Sequence, residues 1–141
     1  MSSAVTVTFS IGTNLGDREG NVKTALQMLD ARIGSHWTAL SPIIETVACG
    51  FDGPDFLNCA VRYRTRRSPE SLLAICKRIE REMGRTDGEE HDAAGNRIYH
   101  DRIIDIDILT YGKRHFSSET LTIPHPQVET RPFIKELLLT L

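Results

Sequence analysis
What the sequence has little of narrows the field before any motif is read. Three cysteines, Cys49, Cys59 and Cys76, occur in 141 residues, an odd count with no C-x-x-C spacing. That pattern points to reduced thiols of a cytoplasmic protein. No apolar run approaches the ~20 residues a bilayer-spanning helix needs. The start, Met1-Ser2-Ser3-Ala4-Val5-Thr6, lacks the basic residues and continuous apolar core of a secretory signal. An excess of one charge is also missing: 17 Lys and Arg stand against 19 Asp and Glu, a net charge of −2 with His neutral. Nucleic-acid and membrane-surface partners, usually met by clustered positive charge, are therefore not expected. A small anionic pocket built from a few arginines stays open. No repeat or low-complexity segment is present. Gly12, Gly16 and Gly20 are spaced too widely for the dinucleotide fingerprint G-x-G-x-x-G.

What is there describes an ordinary globular domain, 40% hydrophobic and 26% charged. The length suits one domain over residues 1–141, which buries roughly two-thirds of the surface of its unfolded chain without a metal or disulfide staple. Val5, Val7, Phe9 and Ile11 alternate with Thr6, Thr8 and Ser10 and predict a strand over 4–11 with one buried face. Turn residues 12–17 end in Asp17, a helix N-cap. Val22, Ala25, Leu26, Leu29 and Ile33 then recur at helical spacing up to Gly34. Residues 40–46 and 56–65 read as strands separated by a Gly- and Pro-containing loop. Ser68-Pro69-Glu70 is a helix start, with a hydroxyl cap, proline at the first position and an acid in the first turn. Leu72, Cys76, Ile79 and Met83 line the face of that helix, which ends at Gly84. Residues 85–102 show no apolar periodicity, a length of loop usually kept for function. A strand over 103–111, a hairpin turn at Gly112-Lys113 and a short helical tail after Arg131 follow. The order β-α-β-β-α-β with a tail predicts an α+β, ferredoxin-like antiparallel sheet with helices packed on one face.

The most informative segment for chemistry is Arg102-Ile103-Ile104-Asp105-Ile106-Asp107-Ile108-Leu109. On a strand, Asp105 and Asp107 project to one face and the isoleucines to the other. Their Cα atoms lie roughly 6.6 Å apart, near enough for both carboxylates to reach one metal ion or a close pair. Repulsion and desolvation of the two acids are relieved by a hard cation, and carboxylates without His or Cys ligands favour Mg²⁺. A solvated strand face fits the same D-x-D pattern. Arg85, Arg102 and Arg131 surround that strand in sequence, and their guanidinium forks suit phosphate oxygens. His125, between Pro124 and Pro126, has the restricted backbone of a donor to phosphate or of a structural histidine. Asn58 offers a donor and an acceptor to a heterocycle edge, and Phe56 and Phe133 are stacking partners or core residues.

Taken in order, these segments resemble the 6-hydroxymethyl-7,8-dihydropterin pyrophosphokinases of folate biosynthesis. The resemblance covers nearly the whole chain: residues 10–17, 41–46, Asp55-Phe56-Leu57-Asn58, Ser68-Pro69-Glu70, Ile79-Glu80 to Gly84-Arg85, Arg102 to Leu109, and Leu121 to Pro126 with Arg131 and Phe133. It implies transfer of the β,γ-pyrophosphoryl group of ATP to the pterin's hydroxymethyl oxygen, with release of AMP. It also implies two Mg²⁺ ions on Asp105 and Asp107, ATP as co-substrate, and Arg85 and Arg102 at the phosphates. Glu80 corresponds to a position lining the nucleotide site, and His125 and Arg131 to an ATP-side pair. Asn58 and the backbone around Thr46 correspond to contacts with the pterin edge, and Phe56 and Phe133 to its stacking partners. The partners expected are these small molecules, not nucleic acid or membrane, for a monomer or weak homo-oligomer.

The chain departs from the family pattern at four positions. Asp87 replaces a second arginine, Tyr99 and Asp101 replace Trp and Pro ahead of Arg102, and Lys77 stands where glutamine is common. Between Thr86 and Asp101 five acids, Asp87, Glu89, Glu90, Asp92 and Asp101, face Arg97 alone, a net −4. A negative lid over a polyphosphate is electrostatically unfavourable, so a catalytically weak or inactive ligand-binding module of the same fold is the competing expectation. The same segment is expected to be mobile without ligand and ordered by ATP.

Overall fold
A computed structural model describes residues 3–47, 54–84, 90–91, 97–98 and 103–141. Strand β1 (Val5–Thr13) leads to helix α1 (Arg18–Ile33), two short strands β2 (Ala39–Leu40) and β3 (Ile44–Thr46), and the long strand β4 (Phe56–Thr65). Helix α2 (Pro69–Glu82) follows, then β5 (Glu90–His91), β6 (Arg97–Ile98), β7 (Asp105–Tyr111), β8 (Phe116–Ser117), β9 (Thr122–Ile123), α3 (Gln127–Thr130) and α4 (Pro132–Leu139). The main sheet has five strands, ordered β2-β4-β1-β7 with β3 also on β4, and every pairing in it is antiparallel. The structure is thus mixed α/β around an antiparallel sheet and is compatible with the ferredoxin-like expectation.

The predicted helix signals act as expected. Asp17 accepts the Gly20 amide at 3.0 Å and caps α1, and Gly34 ends it in the left-handed region at φ +91°. Ser68 caps α2 by accepting the Ser71 amide at 3.1 Å, with Pro69 at the first position. Val22, Ala25, Leu29 and Ile33 of α1 and Leu72, Cys76 and Ile79 of α2 are buried in one cluster with Val7, Phe9, Ile11, Cys59, Val61, Tyr63, Ile106 and Ile108. Both helices therefore cover the same sheet face. Helix α4 packs on β4 and buries Ile134 and Leu137, which do not belong to that cluster. At the end of β4 remote from Phe56, the Tyr63 hydroxyl donates to Asp30 at 2.5 Å, and burial with that carboxylate raises the phenol well above its ordinary value.

Three predicted elements are corrected. Residues 40–46 form two strands, because Pro42 has no N–H to give the ladder. Leu40 pairs with Val61 and Ile44 with Asn58, so the shorter segment carries one extra residue. The buried Ser41 bridges this bulge: its hydroxyl accepts the Ala60 amide at 2.8 Å, and its own amide donates to the Ala60 carbonyl at 2.9 Å. The turn after β7 does not make a hairpin on β7. Gly112 takes φ +55° and donates to the Thr6 carbonyl at 2.7 Å, and β8 pairs with β9 instead. One edge of β7 is filled by β1, while on the other the His125 amide donates to the Leu109 carbonyl at 2.9 Å. Within the aperiodic stretch 85–102, β5 and β6 pair through Glu90 with Ile98 and His91 with Arg97.

Candidate active site
Register brings distant residues into rows across the sheet face opposite the two long helices. Ile11, Cys59 and Ile106 lie side by side on β1, β4 and β7 and point into the core. Because successive strand side chains alternate, the flanking rows point the other way. One row is Asn58, Gly12 and Asp105; the next is Ala60, Ser10 and Asp107. Asn58 and Asp105 are thereby separated by two strand spacings, roughly 10 Å.

At the β4 end of the row, the Asn58 amide is oriented. Its Nδ2 donates to the Thr46 hydroxyl at 2.6 Å, and Thr46 stands on β3 opposite Phe56. A Cβ on Gly12 would lie 3.1 Å from Asn58 Oδ1 and 3.7 Å from the Phe56 ring. The absence of a side chain at Gly12 thus leaves a cradle whose walls are an amide oxygen and an aromatic ring. Phe133 is partly buried in the first turn of α4, the helix packed on the strand that carries Phe56.

At the other end of the row lie Asp105 and Asp107, both partly exposed on the edge strand β7. His125 Nε2 lies 3.8 Å from Asp107 Oδ1. The His125 Nδ1 accepts the Gln127 amide at 3.1 Å, so in the neutral ring the proton sits on Nε2 and faces Asp107. Burial holds the His125 imidazole below its ordinary value; Asp105 opposes this and Arg131 adds to it. Arg131, at the junction of α3 and α4, is thus near enough to His125 for their charges to interact.

Glu80 is 2% exposed, the one buried charged side chain among the described residues, and accepts the Ile106 amide at 2.9 Å. Lys77 Nζ lies 3.7 Å from its other oxygen. Arg85 and Arg102, along with Asp87, Tyr99 and Asp101, fall outside the described residues. Of the predicted residues, the structure therefore joins Thr46, Phe56 and Asn58 at one end of the row. It joins Asp105, Asp107, His125 and Arg131 at the other, with Glu80 behind β7.

Several supporting residues escaped the sequence reading. Arg18 donates to the Asp55 carbonyl at 2.8 Å and pairs with Glu45 at 3.3 Å, while the buried Asn14 donates to the Pro54 carbonyl at 3.1 Å. Asn21 donates to the Leu15 carbonyl at 2.8 Å and the Ile103 carbonyl at 3.3 Å. The first turn of α1 and the loop before it thereby tie down the chain entering both β4 and β7. The only sequence signal was polar residues clustered around a helix start, which every capped helix shares.

Asp105 and Asp107 fit a hard divalent cation: both present oxygen donors from one strand face, with solvent access for further ligands. Among the described residues no group of three or more His, Cys, Asp and Glu forms a protein-only metal cage. Nor is any described helix long and apolar enough to cross a membrane.

A family model described as 7,8-dihydro-6-hydroxymethylpterin-pyrophosphokinase (HPPK) matches residues 8–141. A folate synthesis bifunctional protein, mitochondrial, of Pisum sativum is 43% identical over 136 residues, 96% of this chain and 25% of that protein. The chain thus spans about a quarter of that longer relative. A 2-amino-4-hydroxy-6-hydroxymethyldihydropteridine pyrophosphokinase of Porphyromonas gingivalis is 42% identical over 131 residues, 92% of this chain and 85% of that one. A protein of the same name from Bacillus subtilis is 33% identical over 126 residues, covering 89% of this chain and 71% of that one.

Proposed function
The chain belongs to the 7,8-dihydro-6-hydroxymethylpterin-pyrophosphokinase family, and on that premise we propose that it transfers pyrophosphate from ATP to the hydroxymethyl group of 6-hydroxymethyl-7,8-dihydropterin, releasing AMP in folate synthesis. The observation that carries this reading is the row Asn58–Gly12–Asp105. It supports a heterocycle-reading amide at one end and, at the other, Asp105 with Asp107 of the neighbouring row as cation-binding carboxylates, about two strand spacings away.

The protein's own groups divide the task. Asn58, oriented by Thr46, presents Oδ1 to a ring N–H of the pterin, and Phe56 and Phe133 are assigned to the ring faces on the family resemblance. A pterin analogue lacking that N–H would leave Asn58 Oδ1 without its ring partner in a dry pocket, which gives steep selectivity. The hydroxymethyl arm then points along the row toward β7. Asp105 and Asp107 would hold Mg²⁺, read as two ions, which when bound would supply charge neutralisation at the ATP phosphates. His125 presents its Nε2–H, and Arg131 its guanidinium, on the ATP side. Arg85 and Arg102 are assigned to the transferred phosphates, and Glu80 to the nucleotide side, on the family resemblance. The alignment of reacting groups on rigid strands is the main catalytic contribution of the fold.

The sheet order, with β1 and β4 central and both long helices on one face, supports the ferredoxin-like βαββαβ topology for a single domain over 1–141. Buried free thiols at Cys59 and Cys76 suit a reducing, cytoplasmic setting, and a monomer or weak homo-oligomer is the assembly we assign. A coupled assay for AMP tests the activity. AMP must form only when ATP, Mg²⁺ and the hydroxymethyl pterin are all present. Binding of pterin and nucleotide without AMP release would favour the ligand-binding module instead.

A further inference from the structure
Among the described residues β7 is the last strand of its sheet, and there the Ile106 amide, turned away from β1, meets no further strand. It is the amide between Asp105 and Asp107. In place of a strand, the Glu80 carboxylate comes from α2 and accepts it at 2.9 Å. Burying a carboxylate is costly unless it is well bonded, and leaving a buried amide unpaired is costly too. This contact satisfies the amide and one carboxylate oxygen together, and Lys77 Nζ lies 3.7 Å from the second oxygen.

We propose that Glu80 is a positioning residue for the metal-binding pair, acting through the Ile106 backbone. The inference rests on the pyrophosphokinase reading only for what Asp105 and Asp107 hold. Fixing the Ile106 nitrogen fixes the pleat between its neighbours, and thus the spacing and aim of the two carboxylates above it. Mg²⁺ requires near-octahedral ligation and tolerates misplacement poorly. With the Ile106 amide released, the outer edge of β7 would be held at Leu109 by the His125 amide but not between the two aspartates, and the pair would splay. What the contact needs is the reach of the side chain and an acceptor oxygen, not a negative charge.

That distinction sets the experiment. Glu80→Gln keeps the reach and the acceptor, Glu80→Asp keeps the charge and loses the reach, and Glu80→Ala loses both. Amide hydrogen exchange at Ile106 is followed by NMR in metal-free, nucleotide-free protein, with exchange at Ile108 as the internal reference. Mn²⁺ affinity is then measured by paramagnetic line broadening in the same nucleotide-free protein, so that any contact of Glu80 with nucleotide does not enter. In the Asp and Ala variants, exchange at Ile106 should rise at least tenfold relative to Ile108. Metal affinity should fall roughly tenfold to a hundredfold, the usual effect of losing a group that orients a ligand. The Gln variant should stay within about threefold of wild type in both. If the Ala variant does not fold, the Asp and Gln pair decides. Unchanged Ile106 exchange in the Asp variant would overturn the proposal, as would a Gln variant as impaired in metal affinity as Asp. The exchange result needs no turnover, so a wild-type protein that forms no AMP would sink the activity reading and leave this one standing.

Discussion

The Asn58 amide donates from Nδ2 to the Thr46 hydroxyl at 2.6 Å, which turns its Oδ1 toward Gly12. An amide can point either way about its last torsion, and here a neighbouring strand chooses. Thr46→Val removes the acceptor at nearly constant volume. Loss of one such bond, about 0.5–1.5 kcal/mol, should raise the KM for the pterin roughly 2- to 12-fold by the same arithmetic. The KM for ATP should not move. Steady-state kinetics with each substrate varied in turn check this, and an unchanged pterin KM would show that Asn58 keeps its orientation without Thr46.

Gly12 faces that amide oxygen, and an added Cβ would sit 3.1 Å from it and 3.7 Å from the Phe56 ring. Gly12→Ala should therefore fill the cradle and weaken pterin binding about tenfold or more. The fold should not suffer, because alanine in a strand costs less chain entropy than glycine and the contacted amide can turn. A thermal midpoint equal to or above wild type, together with a raised pterin KM, is the expected pair of results. A fall in both stability and affinity would place Gly12 in the scaffold instead.

Asp107 lies partly exposed at the edge of the sheet, in the row beside the buried Ser10 and Ala60. Asp107→Ala should leave folding nearly intact while removing a cation ligand. Metal-derived stabilisation of several kcal/mol corresponds to a loss of roughly a hundredfold or more in turnover. Circular dichroism and the AMP assay check the two halves, and near wild-type turnover would refute the assignment of the carboxylate pair.

Burial pushes the Cys59 thiol from the ordinary 9.0 up to about 12, and raises that of Cys76 as well, with Glu80, Asp107 and Asp105 adding to the effect. The folded state therefore prefers the neutral thiols. Their contribution to stability is fully present below the ordinary thiol pKa and is lost as the pH climbs from there toward the folded value. At pH 8 neither thiol should react with maleimide in native buffer, and both should react in urea. Peptide mapping by mass spectrometry reads each cysteine separately. Native labelling of Cys59 at its denatured rate would contradict the burial.

Local pattern carried far in this chain. The strand expected over 56–65 coincides with β4, and Ser68-Pro69-Glu70 placed the start of α2. The strand expected over 40–46 was divided because Pro42 withdraws a donor and Ser41 supplies its hydroxyl in the gap. Periodicity cannot report that exchange, since the partner is Ala60. Glu80 carried a weak signal, four residues after the buried Cys76 and hence on the same helix face. Its partner, the Ile106 amide, is 26 residues away and invisible to any local pattern.

By itself, the sequence determined which residues alternate, which helices are capped, and that Asp105 and Asp107 share one strand face, because each of these depends on neighbours a few positions apart. Only the tertiary structure decided that Asn58, Gly12 and Asp105 form one row, that Thr46 orients Asn58, and that Glu80 secures the strand edge between the two aspartates. Those relations depend on strand register and helix packing over tens of residues, where a shift of one position would turn each side chain to the opposite face.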